Sequence, residues 1–426
     1  MADQSIRRVA IIGGTRTPFC RSNTLYADLT NLDMLSTALQ GLTDKFGLTG
    51  QEVGELYAGA VTTHAKDWNL AKEAALSTSL SPTTPAITMM QACGTSLQAA
   101  MILAGKIAAG HIDSGIAAGT DSTSDAPIVF KRKFAQKLIK LGQVRSMGKR
   151  VKGILGIRPS DFAPQVPSPA EPRTGLSMGQ HCELMAKEWG ISREEQDQLA
   201  MESHHKAAAA YSAGEFDQLI TPCAGVWRDN NLRPETSREK MAKLRNAFDK
   251  SDKGTLTAAN STPLTDGASA VLLASEEWAK ERKLPIQAYL TFSQTASVDY
   301  VAGEGLLMAP TVAMSRMLQR AGRSLQDFDI YEIHEAFAAQ VLCTLKAWED
   351  EDYCKDRLGL TEALGSIDRS KLNPRGSSLA VGHPFAATGG RILSDLADQL
   401  EKRGSGSGVI SICTAGGMGV TAILER

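Results

Sequence analysis

Short apolar runs alternate with helix-length stretches through most of this chain, and the alternation occurs twice with nearly the same spacing. Val9-Ala10-Ile11-Ile12 reads as a buried strand, residues 32–46 as an amphipathic helix and residues 55–61 as a second strand. A small-residue helix follows Cys93 through Leu97, Ala100, Ile102 and Ile107, and Ile116-Ala117-Ala118-Gly119 is another short buried strand. In the second half, Asp329-Ile330-Tyr331-Glu332-Ile333-His334 matches Gly54-Glu55-Leu56-Tyr57-Ala58-Gly59. His383, its helix and the run from Val409 to Cys413 match Cys93, its helix and its strand, over 30 residues against 26 from Cys93 to Gly119. Two copies of one α/β unit about a pseudo-twofold axis bring both helix starts towards a common centre.

Residues 122–250 break this rhythm. Pro164, Pro167, Pro169 and Pro172 crowd one stretch, and the helical pattern of residues 193–213 has no strand beside it. The expected organisation is a first half over 1–121 and 251–285, an inserted lid over 122–250 attached to it, and a second half over 286–426.

At 426 residues the chain exceeds what one core usually serves, and 42% apolar with 22% charged residues is a globular composition. A net charge of −1 gives no bulk attraction for nucleic acid. Seven scattered cysteines without a CxxC pair argue against a disulfide framework or zinc site and for a reducing compartment. With no membrane-length apolar run, no room for a leader before Val9 and no peroxisomal address at Leu424-Glu425-Arg426, the expected location is the cytoplasm.

Four reactive side chains sit at turns that interrupt apolar runs. They are Cys93 in Gln91-Ala92-Cys93-Gly94-Thr95-Ser96, His334 in His334-Glu335-Ala336-Phe337, His383 in Gly382-His383-Pro384-Phe385, and Cys413 before Gly416, Gly417 and Gly419. A thiol at a helix start meets the positive end of the dipole, which favours thiolate, and flanking Gly94 leaves room for substrate; a packed core cysteine is the bland alternative. Pro384 in a first helical turn would make His383 a cap residue, with an imidazole able to take the Cys93 proton. The glycines and alanines after His383 suggest that something large approaches the backbone there. The glycines after Cys413 offer N–H groups for an oxyanion, and a second thiol there suits proton transfer. His111, His181, His204 and His205 read as surface histidines.

Together these residues resemble the thiolase family over essentially the whole chain. Further matching blocks are Arg16-Thr17-Pro18-Phe19, Ala259-Asn260-Ser261-Thr262-Pro263-Leu264-Thr265-Asp266-Gly267-Ala268 and Gly389-Gly390-Arg391. The resemblance implies duplicated βαβαβαββ halves layered α/β/α/β/α with an inserted loop domain. It implies Cys93 as the acyl-accepting nucleophile, His383 as the base for Cys93 and for free coenzyme A, and Cys413 as the acid/base at the acetyl α-carbon. His334 and His383 would hold the thioester oxygen, and the N–H groups of Cys93 and Ala415 a second oxyanion. Met178, Ser261, Thr262 and Phe337 are the implied contacts to substrate or coenzyme A. No metal or resident cofactor is implied, since coenzyme A is a substrate. His334, Phe385-Ala386 and Ala242-Lys243-Leu244-Arg245-Asn246-Ala247-Phe248-Asp249 resemble the thiolase subunit of fatty-acid-oxidation trifunctional complexes. The implied activity is thiolytic cleavage of 3-ketoacyl-CoA in β-oxidation by a homodimer or larger oligomer. Acetoacetyl-CoA synthesis is the rival, and an idle scaffold subunit a more distant one.

From Lys131 to Ser160 there are ten Lys or Arg and no acid, with Phe130, Phe134, Leu138 and Leu141 at helical spacing on one side. A solvated face is the simplest reading. The other readings are the phosphates of coenzyme A, an anionic membrane surface, or a hydratase/dehydrogenase subunit.

Overall fold

The computed structural model describes residues 6–165 and 168–426, so Pro167 lies outside the described residues. Ten strands form one sheet. From one edge the order is Ile330–Ile333, Ser407–Thr414, Met418–Glu425, Ala288–Ser297, Val9–Arg16, Thr265–Ser275, Ser114–Asp121, Glu55–Ala58 and Ala86–Thr88, with Cys20–Arg21 beside Thr265–Ser275 off this path. Read outward from the middle, each half places a first strand, an antiparallel last strand, a second antiparallel strand and then a parallel one. The duplication expected from spacing is therefore the symmetry of the sheet. Within the sheet, strands Val9–Arg16 and Ala288–Ser297 join the halves through Ala10–Tyr289 and Ile11–Ala288.

Strand alternation builds the layers. Ile11, Val271 and Leu273 point to a central core, while Ala10, Ile12 and Leu272 point to an outer one under helix Asn31–Lys45. The central layer holds helices Thr95–Ala108 and Thr388–Arg403, the latter buried from Thr388 to Leu400. Helices Ala309–Ala321 and Ala338–Glu349 cover the outer face of the second half, completing five layers.

The two central helices nearly touch backbones. A β-carbon on Gly389 would lie 2.5 Å from the Leu97 nitrogen, and one on Gly390 2.5 Å from Ser269 Oγ. The small residues after His383 thus make room for the other half of the protein, not for a ligand as their density suggested.

The stretch after Asp121 divides in two. Helices Met178–Glu188 and Arg193–Ser212 start with capping boxes at Ser177 and Ser192. Their Cys182, Met185 and Leu199 join the core of the second half, so this part rests on that half as well as following the first. Helices Arg132–Gln143 and Met147–Leu155 stand apart: only Phe134 is buried in the first and no residue in the second. Phe134 packs against Phe130 and Phe162 with ring centroids 5.0 Å away in each case, while Phe130 and Leu138 remain exposed. Two histidines read as surface residues are buried. His181 pairs with Thr174 Oγ1 at 2.8 Å, and His204 Nδ1 accepts from the Arg233 N–H at 3.2 Å; the apolar residues on their helices gave no sign of these partners.

Candidate active site

Cys93 occupies a 3-10 turn, Ala92–Gly94, immediately before helix Thr95–Ala108. Ala92 has φ of 45°, a left-handed conformation that a residue with a β-carbon rarely adopts, and the sharp turn lifts Cys93 out of the strand-to-helix path. Thr95 Oγ1 clamps the turn, accepting from the Gln91 N–H at 2.9 Å and donating to the Ala92 carbonyl at 2.7 Å.

His383 is not a helix cap. The helix begins five residues later at Thr388, after a 3-10 turn over Phe385–Ala387. Pro384 disfavours helical geometry for the residue before it, so His383 stays extended and its N–H donates to Thr265 Oγ1 at 2.7 Å. The first half then grips the turn that follows. Ser96 Oγ donates to the Ala386 carbonyl at 2.6 Å, the Ala386 N–H donates to Asp121 at 2.9 Å, and Ser269 Oγ donates to the Ala387 carbonyl at 2.6 Å.

These supports bring His383 Nε2 to 3.1 Å from Cys93 Sγ, with Nδ1 2.5 Å from Thr388 Oγ1. His334 lies just past strand Ile330–Ile333, its ring centroid 4.2 Å from that of His383. Its Nδ1 meets Ser378 Oγ at 2.8 Å, while its buried Nε2 has no partner among the described residues. Cys413 is buried near the end of strand Ser407–Thr414, close enough to Cys93 to feel its charge.

Burial dominates the electrostatics. It pushes the Cys93 thiol up to about 12, against the N–H groups of Ala415 and Cys93, which hydrogen-bond the sulfur and pull the other way. It pushes His383 down to about 3, helped by the Arg391 charge, and lowers His334 further through His383 and Arg391. At rest the proton therefore sits on sulfur beside a neutral imidazole, not on an imidazolium beside the thiolate that a helix dipole alone suggested. Burial and Cys93 likewise keep Cys413 a thiol. The donor atoms of Cys93, His334 and His383 lie within 4.8 Å of one another, a spacing open to a soft cation. The adjacent Arg391 charge opposes one there.

The glycines after Cys413 do not form a general anion cradle. The Gly416 N–H is taken by Glu171 at 2.9 Å and Gly419 sits in the ladder opposite Cys413, while the N–H from this stretch that meets the Cys93 sulfur is that of Ala415. Ser261 bridges to Phe337, and Thr262 bonds to the Ala336 carbonyl, so both lie against the segment that follows His334. Met178 opens its helix and packs against the core that holds Cys413. A groove of about 560 Å³ runs past Ser261 and Leu379, with Arg21, His204, Arg233 and Lys240 also lining it. Arg21, Arg233, Lys240 and Ser378 had no signal of their own in the sequence, because their partners are distant along the chain, and Arg391 entered only within the block Gly389-Gly390-Arg391.

Family models describe the same frame. Residues 9–277 match "Thiolase, N-terminal domain" and residues 284–426 match "Thiolase, C-terminal domain". The chain belongs to the thiolase family. It is an acyltransferase of mixed α/β fold, and no helix of the described residues is long and apolar enough to cross a membrane. The thiolase is 40% identical over 424 residues to 3-ketoacyl-CoA thiolases of Yersinia pestis (strain Pestoides F) and Yersinia pseudotuberculosis serotype O:1b, covering 98% of this chain and 97% of each relative. Its structure resembles Bacillus anthracis acetyl-CoA acetyltransferase (TM-score 0.81, 28% identity, 99% of this chain and 100% of that one). It also resembles human mitochondrial 3-ketoacyl-CoA thiolase in complex with CoA (TM-score 0.82, 27% identity, 99% and 98%).

Proposed function

We propose that this thiolase cleaves 3-ketoacyl-CoA with coenzyme A to acetyl-CoA and a shortened acyl-CoA, in fatty-acid β-oxidation. The observation that carries the reading is the 3.1 Å contact of His383 Nε2 with Cys93 Sγ beside the free Nε2 of His334. Cys93 attacks the 3-keto carbon as its proton passes to His383, and the N–H groups of Cys93 and Ala415 receive the oxyanion. The C2–C3 bond breaks, and its electron pair becomes a thioester enolate held by His334 and His383. Cys413 gives the enolate carbon its proton, and acetyl-CoA leaves. The proton on His383 then restores Cys413, so the neutral imidazole can take the proton of incoming coenzyme A. Attack on the acyl-cysteine and return of that proton regenerate Cys93.

The groove past Ser261 suits coenzyme A, since Arg21, Arg233 and Lys240 offer three cations to its phosphates. Met178, Thr262 and Phe337 would shape the acyl end, and residues 122–250 would serve as the lid between the two halves. A homo-oligomer in the cytoplasm with a hydratase/dehydrogenase partner fits the resemblance to trifunctional subunits.

For residues 131–160 the groove removes the need for a coenzyme A role. Ile139, Val151, Ile154 and Leu155 are at least half exposed among the ten cations, a surface matched to an anionic bilayer. Lys137 is the exception, engaged with Asp161 at 2.8 Å and the Gly156 carbonyl at 3.0 Å.

Thiolysis rates of the pure chain across 3-ketoacyl-CoA lengths test the proposal, with peptide mass mapping of the acyl group. Acylation of Cys93 and turnover of long substrates are expected. Activity confined to acetoacetyl-CoA would favour the biosynthetic reading, to which the Bacillus anthracis likeness points.

A further inference from the structure

We propose that Arg391, through Ser378, fixes His334 in the tautomer that carries its proton on Nε2, making it a dedicated hydrogen-bond donor while His383 remains an acceptor. The inference rests on the reading that the thioester oxygen sits against His334.

The argument is a count of protons and lone pairs. A guanidinium only donates. Arg391 Nη2 donates to Ser378 Oγ at 2.9 Å and to Ser377 Oγ at 3.1 Å. Ser378 Oγ lies 2.8 Å from His334 Nδ1, and no third partner for it occurs among the described residues. If Nδ1 carried the proton, Oγ would receive two N–H donors and its own hydrogen would have no acceptor in a fully buried site. If Nδ1 is bare, the hydroxyl donates to it and accepts from Arg391, and of the Ser378–His334 pair Nε2–H alone is left for the thioester oxygen to meet. The Nδ1–H state leaves both the hydroxyl hydrogen and the Nε2 lone pair without partners, against one unpaired group in the Nε2–H state, and one buried polar group left unpaired biases the two states by roughly 5- to 150-fold. The proton then belongs on Nε2, the atom with no partner among the described residues.

The charge around Arg391 supports the same direction. Burial lowers the Arg391 guanidinium from its ordinary value against Glu332, Asp395 and Glu335, which raise it, while burial and then the His383 and Arg391 charges oppose a second proton on His334. His383 takes the opposite tautomer. Its Nε2 must accept from the Cys93 thiol, so Nδ1–H donates to Thr388 Oγ1. Two imidazoles with ring centroids 4.2 Å apart and planes tilted by 51° thus divide the work: one can only donate to an oxyanion, the other can take a proton. Ser378 and Arg391 touch neither substrate nor reacting atoms and act as positioning residues.

Nitrogen-15 spectra of histidine-labelled native enzyme read the tautomer directly, with the His334→Asn variant identifying its signals among the seven histidines. The expected result is a protonated Nε2 and a bare Nδ1 on His334 from pH 6 to 9. A protonated Nδ1 overturns the proposal, whatever His334 contacts in the reaction. The isosteric pair Ser378→Thr and Ser378→Val supplies the functional reading. The valine variant should lose about 100-fold in exchange of acetyl-CoA α-protons with heavy water, the scale of one oxyanion donor. Acyl transfer from acyl-CoA to Cys93, which uses the other oxyanion site, should change less than threefold, and threonine should restore most of the exchange. Equal losses in both half-reactions, or equal behaviour of threonine and valine, overturn the relay. If neither variant folds, the native spectrum decides. Native exchange in His334→Ala would instead sink the substrate-contact reading and leave the tautomer result standing.

Discussion

Gly389→Ala is the sharpest probe of how the two halves make the site. In a helix that had room, this change should stabilise by up to about 1 kcal/mol through propensity. Here the new β-carbon would sit 2.5 Å from the Leu97 nitrogen and 2.9 Å from its β-carbon, where ordinary contact begins near 3.4 Å. The central helices must therefore part by roughly 0.9 Å, the difference of 3.4 and 2.5. Leu97 follows Cys93 by one helical turn and Gly389 closely follows His383, so the displacement falls on their contact and stretches 3.1 Å to roughly 4 Å. We expect a net loss of about 1–3 kcal/mol in stability and about 100-fold in thiolysis. Gly105→Ala is the control, because it lies in the partner helix with nothing within 4 Å of its would-be β-carbon. That variant should gain stability and keep its turnover. Thermal unfolding and thiolysis of acetoacetyl-CoA measure both. A Gly389→Ala enzyme as stable and active as Gly105→Ala would refute the claim that close helix contact sets the Cys93–His383 geometry.

Cys413→Ala should still accept an acyl group on Cys93 but lose exchange of acetyl-CoA α-protons by more than about 100-fold; native exchange would remove Cys413 from proton transfer. Because His383 is held neutral down to about 3 and Cys93 protonated up to about 12, kcat/KM should lack the acid limb near 6.5 of an ordinary histidine. The linked stability has a definite sign: below pH 6.5 the unfolded chain protonates His383 first, so stability falls as pH drops from 6.5 towards 3. His383→Asn should flatten that loss in acid unfolding curves, and an unchanged slope would show that other groups set it. Replacing Lys131, Arg132, Lys133 and Lys140 by Gln should weaken binding to phosphatidylserine vesicles, steeply with salt, at native turnover of a short substrate. A raised coenzyme A requirement with unchanged vesicle binding would move the stretch back to the substrate.

What the sequence determined by itself is local and periodic. Strand alternation around Ile11 and Leu272, the repeat of Cys93 and its helix by His383 and its helix, and turn residues around each reactive group follow from neighbours a few positions apart. These are the interactions a linear pattern records. Wrong readings arose where the deciding contact came from elsewhere in the chain. Small residues after His383 looked like space for a ligand, but Leu97 and Ser269 fill it. A helix dipole argued for a thiolate, yet burial under both halves raised the thiol instead. His204 looked exposed until Arg233 supplied its partner. The relay from Arg391 through Ser378 to His334 joins three residues on separate turns, and the reactive pair itself spans 290 positions. Only packing of the two halves decides such contacts, because burial and hydrogen-bond direction depend on what fills the space around a group, and no stretch of sequence contains its own surroundings.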